Sequence, residues 1–254
     1  MIMQKNNNNI PAIIFLGVLS LFTLFVFVYG TIIPFAQMSD FSSLVKAGKT
    51  DLLLKKESKD FSPIIQRDIA RSYLNFYLNS VKENSSDNLQ ILTGFLDKTI
   101  EIYEGLIKKT PYYAYDYAVL GQALSLKAQL PGEEKYHEKA ELAYKKAIEI
   151  MPNRQEILYA HSLNLALQEK YQEFFDVFEK AHTLSNGVGV SNDSIMGALQ
   201  RLTVYFYEKR DKERYIKVAT WLSEIDLEQK DLYLQAIDYI QKTGQFPILE
   251  FNIE

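Results

Sequence analysis

Two stretches of this sequence carry the same spacing of apolar, aromatic and turn residues. Thr99, Tyr103, Leu106 and Pro111 step by four, three and five residues, and Ala140, Tyr144, Ala147 and Pro152 step identically. Phe174, Phe178 and Ala181 repeat the first two steps, with Asn186 where the proline would fall. Steps of four and three place residues on one face of a helix, and a proline just beyond stops that helix. A helix that recurs with its own stop, each time after another helical stretch, marks an array of helical hairpins. One such hairpin cannot bury its apolar face alone, so the units must stack against one another.

Composition agrees and narrows the function classes. The chain of 254 residues is 47% hydrophobic and 24% charged, enough apolar material for a stacked core. Its 17 Tyr and 15 Phe, against one Trp, suit the seams between helices. The formal net charge is −4 with no basic stripe, which argues against a nucleic-acid partner. The absence of cysteine removes disulfides, thiolate metal sites and a cysteine nucleophile.

Ahead of the array the character changes twice. Residues 1–9 are polar, end in four asparagines and are expected to be disordered. Residues 10–33 carry no charge, and 16 of these 24 are Ile, Leu, Phe or Val. As a helix the stretch is about 36 Å long, enough to cross a hydrocarbon core. A cleaved signal peptide has a shorter apolar core, and Pro34-Phe35-Ala36 is a poor cleavage site. A lipoprotein anchor needs the cysteine that is missing. The expectation is therefore a single-pass transmembrane helix over 10–33, with Tyr29 at an interface and Pro34 ending it. Lys5 and the terminal amine are nearly balanced by Lys46 and Lys49. The short first segment tips the repeat domain to the extracytoplasmic side. Residues 34–60 read as a juxtamembrane linker with short, interrupted helical spacing, and 61–254 as the repeat domain.

Within that domain, Ser62-Pro63 opens a helix, and Leu89 to Lys109 forms the next, stopped by Thr110-Pro111. Tyr115 to Ala128 and Lys135 to Ile150 pair across the turn Pro131-Gly132. Gly121 is expected at the close approach of these two helices, against Ala140. A hairpin follows, with Leu158, His161, Ser162 and Leu165 at the inward positions of its first helix and Tyr171, Phe174, Phe178 and Ala181 at those of its second. Leu184 to Asp193 reads as a loop. Ser194–Glu208 and Glu213–Ile225 make another hairpin, with Tyr215, Val218, Leu222 and Ile225 repeating the pattern of Tyr171. A last helix runs from Asp231 to Thr243 and ends at Gly244, and the segment 248–254 is expected to cover an open end of the array.

The spacing of Ala140 to Pro152, with Gly121 before it, resembles the tetratricopeptide repeat. The resemblance implies an all-α fold, an α-solenoid of helical hairpins following the N-terminal transmembrane helix. It also implies a scaffold that binds a protein partner or a peptide segment, without catalysis or cofactor. In such arrays the first helices of the hairpins line a concave groove. Carried onto this chain, that rule nominates Ala118, Gln122 and Ser125, then Glu156, Tyr159, Leu163 and Ala166. A hydrophobic span followed later by the string Ile150 to Tyr159 is, in addition, similar to the C-terminal region of O-antigen ligase-like membrane proteins. The membrane helices in which those proteins transfer glycan have no counterpart in these residues. That second resemblance implies a C-terminal portion or companion of an O-antigen ligase- or polymerase-like protein in surface polysaccharide assembly, and it supplies no catalytic residue.

Catalytic chemistry finds no foothold in the sequence. His161 falls at a packing position on its helix, and no carboxylate or second histidine shares its face at ligand spacing. His137, with Glu133, Glu134 and Glu138 nearby, reads as a solvated polar face, and His182 stands apart. No Gly-rich phosphate loop and no Gly-x-Ser-x-Gly elbow occurs. The aromatic run Tyr112, Tyr113, Tyr115 and Tyr117, with Asp116, is the one other site-like feature, and core filling accounts for most of it.

Overall fold

Every regular element among the described residues is a helix. The structure, a computed structural model, describes residues 62–82, 89–184 and 193–247, with isolated positions between 20 and 54. Most of 10–33 and of 34–60, all of 1–9, and the segment 248–254 lie outside the described residues, as do residues 83–88 and 185–192. Among the described residues no helix is long and apolar enough to cross a membrane.

The chain divides into two compact units, Met1–Pro111 and Tyr112–Glu254. The first contains the hairpin of α1 (Pro63–Lys82) and α2 (Leu89–Lys109). Phe95 of α2 packs between Tyr73 and Phe76 of α1, with ring centroids 5.4 and 5.3 Å away. The buried Thr99 hydroxyl donates to the Phe95 carbonyl at 2.8 Å and lies 3.3 Å from the Ala70 carbonyl across the pair. A β-branched hydroxyl is thereby accommodated in the seam without an unpaired polar group.

The second unit contains α3 (Ala114–Ala128), α4 (Tyr136–Ile150), α5 (Gln155–Leu167), α6 (Tyr171–Leu184), α7 (Asp193–Glu208), α8 (Lys212–Ile225) and α9 (Lys230–Thr243). Consecutive helices pair as α3 with α4, α5 with α6, and α7 with α8, and α9 lies on α8. First helices also touch first helices, α3 on α5 and α5 on α7. This neighbour-to-neighbour pattern is that of a stacked helical-hairpin array.

The spaced residues that open the sequence argument are the innermost of each second helix. Thr99, Tyr103 and Leu106, then Ala140, Tyr144 and Ala147, then Phe174, Phe178 and Ala181 are each at most 2% exposed. A fourth set, Tyr215, Ala219 and Leu222, is wholly buried. This corrects the expected register of α8 by three residues: Tyr215 corresponds to Phe174, not to Tyr171. The turns fix that correspondence. Glu169 and Arg210, 41 residues apart, both hold φ at 57°, and the next residue's amide donates back to Leu165 or Phe206 at 3.0 Å. The same backbone turn therefore closes both hairpins, and the helices after it must be aligned from it. The first hairpin closes differently, through Gly132 at φ 81°.

Gly121 sits where two helices approach closely, but its partner is not Ala140. A methyl at Gly121 would lie 3.0 Å from three atoms of the Tyr144 ring, so the ring occupies the space that the missing side chain leaves. Ala140 is fully buried one turn away. Aromatic rings fill the next layers: Phe178 lies 4.4 Å from Trp221, and Phe174 and Phe175 both reach the same indole.

Candidate binding face

Most of α3 and of α5 is buried, α3 against α4 and α5, and α5 against α6, α4, α3 and α7. On each, one line of residues is partly or fully exposed. On α3 it is Tyr115, Val119, Gln122 and Leu126; on α5 it is Glu156, Ala160, Leu163 and Leu167. The spacing of four, three and four follows one line along a helix. The N-terminal ends of the two helices are pinned side by side. Arg154, which precedes α5, donates to the Tyr115 hydroxyl, stacks over that ring at 5.5 Å, and pairs with Glu156 at 3.0 Å. α3 and α5 also touch one another, and the two lines begin side by side at Tyr115 and Glu156.

The groove residues expected from the sequence divide on this geometry. Gln122, Glu156 and Leu163 lie on these lines. Ser125 and Tyr159 do not. Each stands one residue, about 100° of helix rotation, before a residue of those lines, and that step carries it inside. Tyr159 is 2% exposed, with its ring edge-on to Phe178 at 5.0 Å, within the cluster formed by α5 to α9. Ser125 is buried, with Ala118, on the enclosed side of α3. Val119, Leu126, Ala160 and Leu167 complete the face and were missed. Polar residues do not mark the accessible side of these helices: Asp116, Ser125, Lys127, His161, Ser162 and Asn164 are buried, while Val119 and Leu167 lie on the accessible lines.

Beneath this face lies a polar seam between the first two hairpins of the unit. His161 is 5% exposed, its ring 5.7 Å from Tyr144, and neither ring nitrogen has a hydrogen-bond partner. Burial pushes its pKa down to about 4; Glu141 opposes that shift, and Lys145 and Lys170 reinforce it. Glu141 of α4 pairs with Lys145 at 2.6 Å and with Lys170, in the turn between α5 and α6. Burial works to raise the Glu141 pKa, and these two lysines override it and hold the carboxyl below its usual range. His161 thus fills a packing position, as its spacing predicts. Among the described residues no group of three or more His, Asp or Glu converges as a metal site.

Comparison with known proteins leaves the family open. No family model matches the chain, and no curated protein matches it. The resemblance to O-antigen ligase-like proteins therefore has no counterpart there. Among solved structures, a thermophilic TPR protein of Thermus thermophilus is similar at 19% identity, over 80% of this chain and 97% of that one, with a TM-score of 0.49.

Proposed function

We propose that the protein is a membrane-tethered helical-repeat scaffold of tetratricopeptide type, which holds a segment of a protein partner on the open face of α3 and α5. The observation that carries this reading is the pair of accessible lines that begin side by side. Val119 and Leu126 on α3 and Ala160 and Leu163 on α5 are partly exposed, and Leu167 is exposed, along helices that are otherwise largely buried. Leu167 is 47% exposed. A face of small and aliphatic side chains, with Gln122, Glu156 and Arg154 at its edge, suits an amphipathic peptide segment. The tether is the uncharged stretch 10–33.

A photoreactive residue at Leu163, introduced in the full chain in its own cells, should cross-link to one discrete protein. Leu167→Glu in that background should abolish the adduct while the circular dichroism spectrum stays helical. Equal labelling with and without Leu167→Glu overturns the binding face. The tether is tested separately: the full chain should sediment with membranes and need detergent for release. Recovery in a detergent-free supernatant after high-speed centrifugation refutes it and leaves the binding face standing.

A further inference from the structure

The last helix is half finished as a member of the array. α9 packs chiefly on α8, through Tyr233, Ala236, Ile237 and Ile240. One flank, about 100° round from the buried face, carries large apolar residues in the open, with Leu232 at 43% and Tyr239 at 42% exposure. These two belong to a line that begins in the turn before the helix: Glu228, Leu232, Gln235, Tyr239 and Lys242, all exposed, spaced four, three, four and three. That is the spacing of a seam between two helices.

The line also reads as its own complement. Set against an identical helix running the opposite way, with Gln235 on the two-fold axis, Leu232 meets Tyr239 of the second copy and Glu228 meets its Lys242. Asp231, beside Glu228 on the first turn, adds a second acidic group near the incoming lysine. Among the described residues of one copy, Lys242 is engaged by Asp238 at 2.7 Å, with both side chains more than half exposed. Such a pair holds the lysine weakly and leaves it available across an interface. We propose that α9 is a homodimerisation element, pairing antiparallel with α9 of a second copy of this chain about a two-fold axis at Gln235. A self-complementary patch of this kind closes after two copies and does not propagate. One helix pair is a small contact, so the dimer forms at micromolar concentrations rather than nanomolar.

The natural chain has no cysteine, so any disulfide reports an introduced one. Full-length Gln235→Cys protein, kept in detergent if needed and oxidised with copper phenanthroline, should run as a covalent dimer. Gln241→Cys, off the axis, and Lys180→Cys, on α6, should stay monomeric at the same concentration. Lys242→Glu added to Gln235→Cys should slow cross-linking at least tenfold, and Glu228→Lys added to that pair should restore it. Sedimentation of the cysteine-free chain should show a concentration-dependent dimer that Leu232→Asp removes. A Gln235→Cys chain that does not cross-link faster than the controls overturns the proposal, as the face is then bare or covered by something else. Cross-linking indifferent to charge reversal overturns the antiparallel arrangement.

Discussion

Truncating Tyr159 to alanine takes away a ring that is 2% exposed and edge-on to Phe178. The loss should be about 3–5 kcal/mol, read from the urea midpoint, because an enclosed cavity replaces the ring. Leu167→Ala, at a 47% exposed position at the end of the same helix, should cost about 1 kcal/mol or less. His161 makes a different prediction. Its folded pKa of about 4 lies below the 6.5 of an unperturbed histidine. As pH falls, the unfolded chain takes up the proton first, so the contribution is intact above 6.5 and drains away between 6.5 and 4. At pH 5 the protein should be about 2 kcal/mol less stable than at pH 7 from this group alone. Lys145 and Lys170 help to keep the ring neutral, and Glu141 is too engaged by them to offset the loss. Urea titrations of His161→Leu should lack that slope. An equal slope in the variant places the acid sensitivity in other groups.

At the level of the helix and its ends, the turns closing the second and third hairpins are the informative feature. Glu169 and Arg210 occupy left-handed backbone that a glycine adopts freely and an L side chain enters at roughly 1–2 kcal/mol. Arg210 is partly compensated, since its guanidinium stacks 5.3 Å from the Tyr207 ring and 5.4 Å from Phe246. Glu169 shows no such ring contact. Glu169→Gly should therefore raise stability by about 0.5–1 kcal/mol, after allowance for the looser unfolded chain, as a shift in thermal midpoint. These turns also explain what could be read in advance. Proline, glycine and three-four spacing gave helix ends within a residue or two, from Pro63 through Gly244. No glycine marks position 169 or 210, so the shared turn stayed hidden and α8 was aligned three residues out. On α3 and α5 the packing angle was illegible for a related reason: Asp116, Ser125, His161 and Asn164 are buried, so polarity does not mark the accessible side of either helix.

Across the whole molecule, equivalent points on the second helices recur at intervals of 41, 34 and 41 residues: Thr99, Ala140, Phe174 and Tyr215. The first long interval includes the wide turn between α3 and α4, and the second the connection between α6 and α7. The repeat thus absorbs extra chain where helices join, while the buried triplets keep their geometry. The expected membrane helix and the closing segment lie outside the described residues, so the sequence remains their only witness. Each substantial helix contact among the described residues joins elements no more than two apart along the chain. That locality sets an order of events during synthesis. At about 5–20 residues per second, a hairpin of this kind needs roughly two to seven seconds to leave the ribosome, whereas helices with such local contacts pair in about a millisecond or less. Each hairpin is therefore complete before the next one emerges, and α9 is the last described helix to be laid down, on a surface that is already folded.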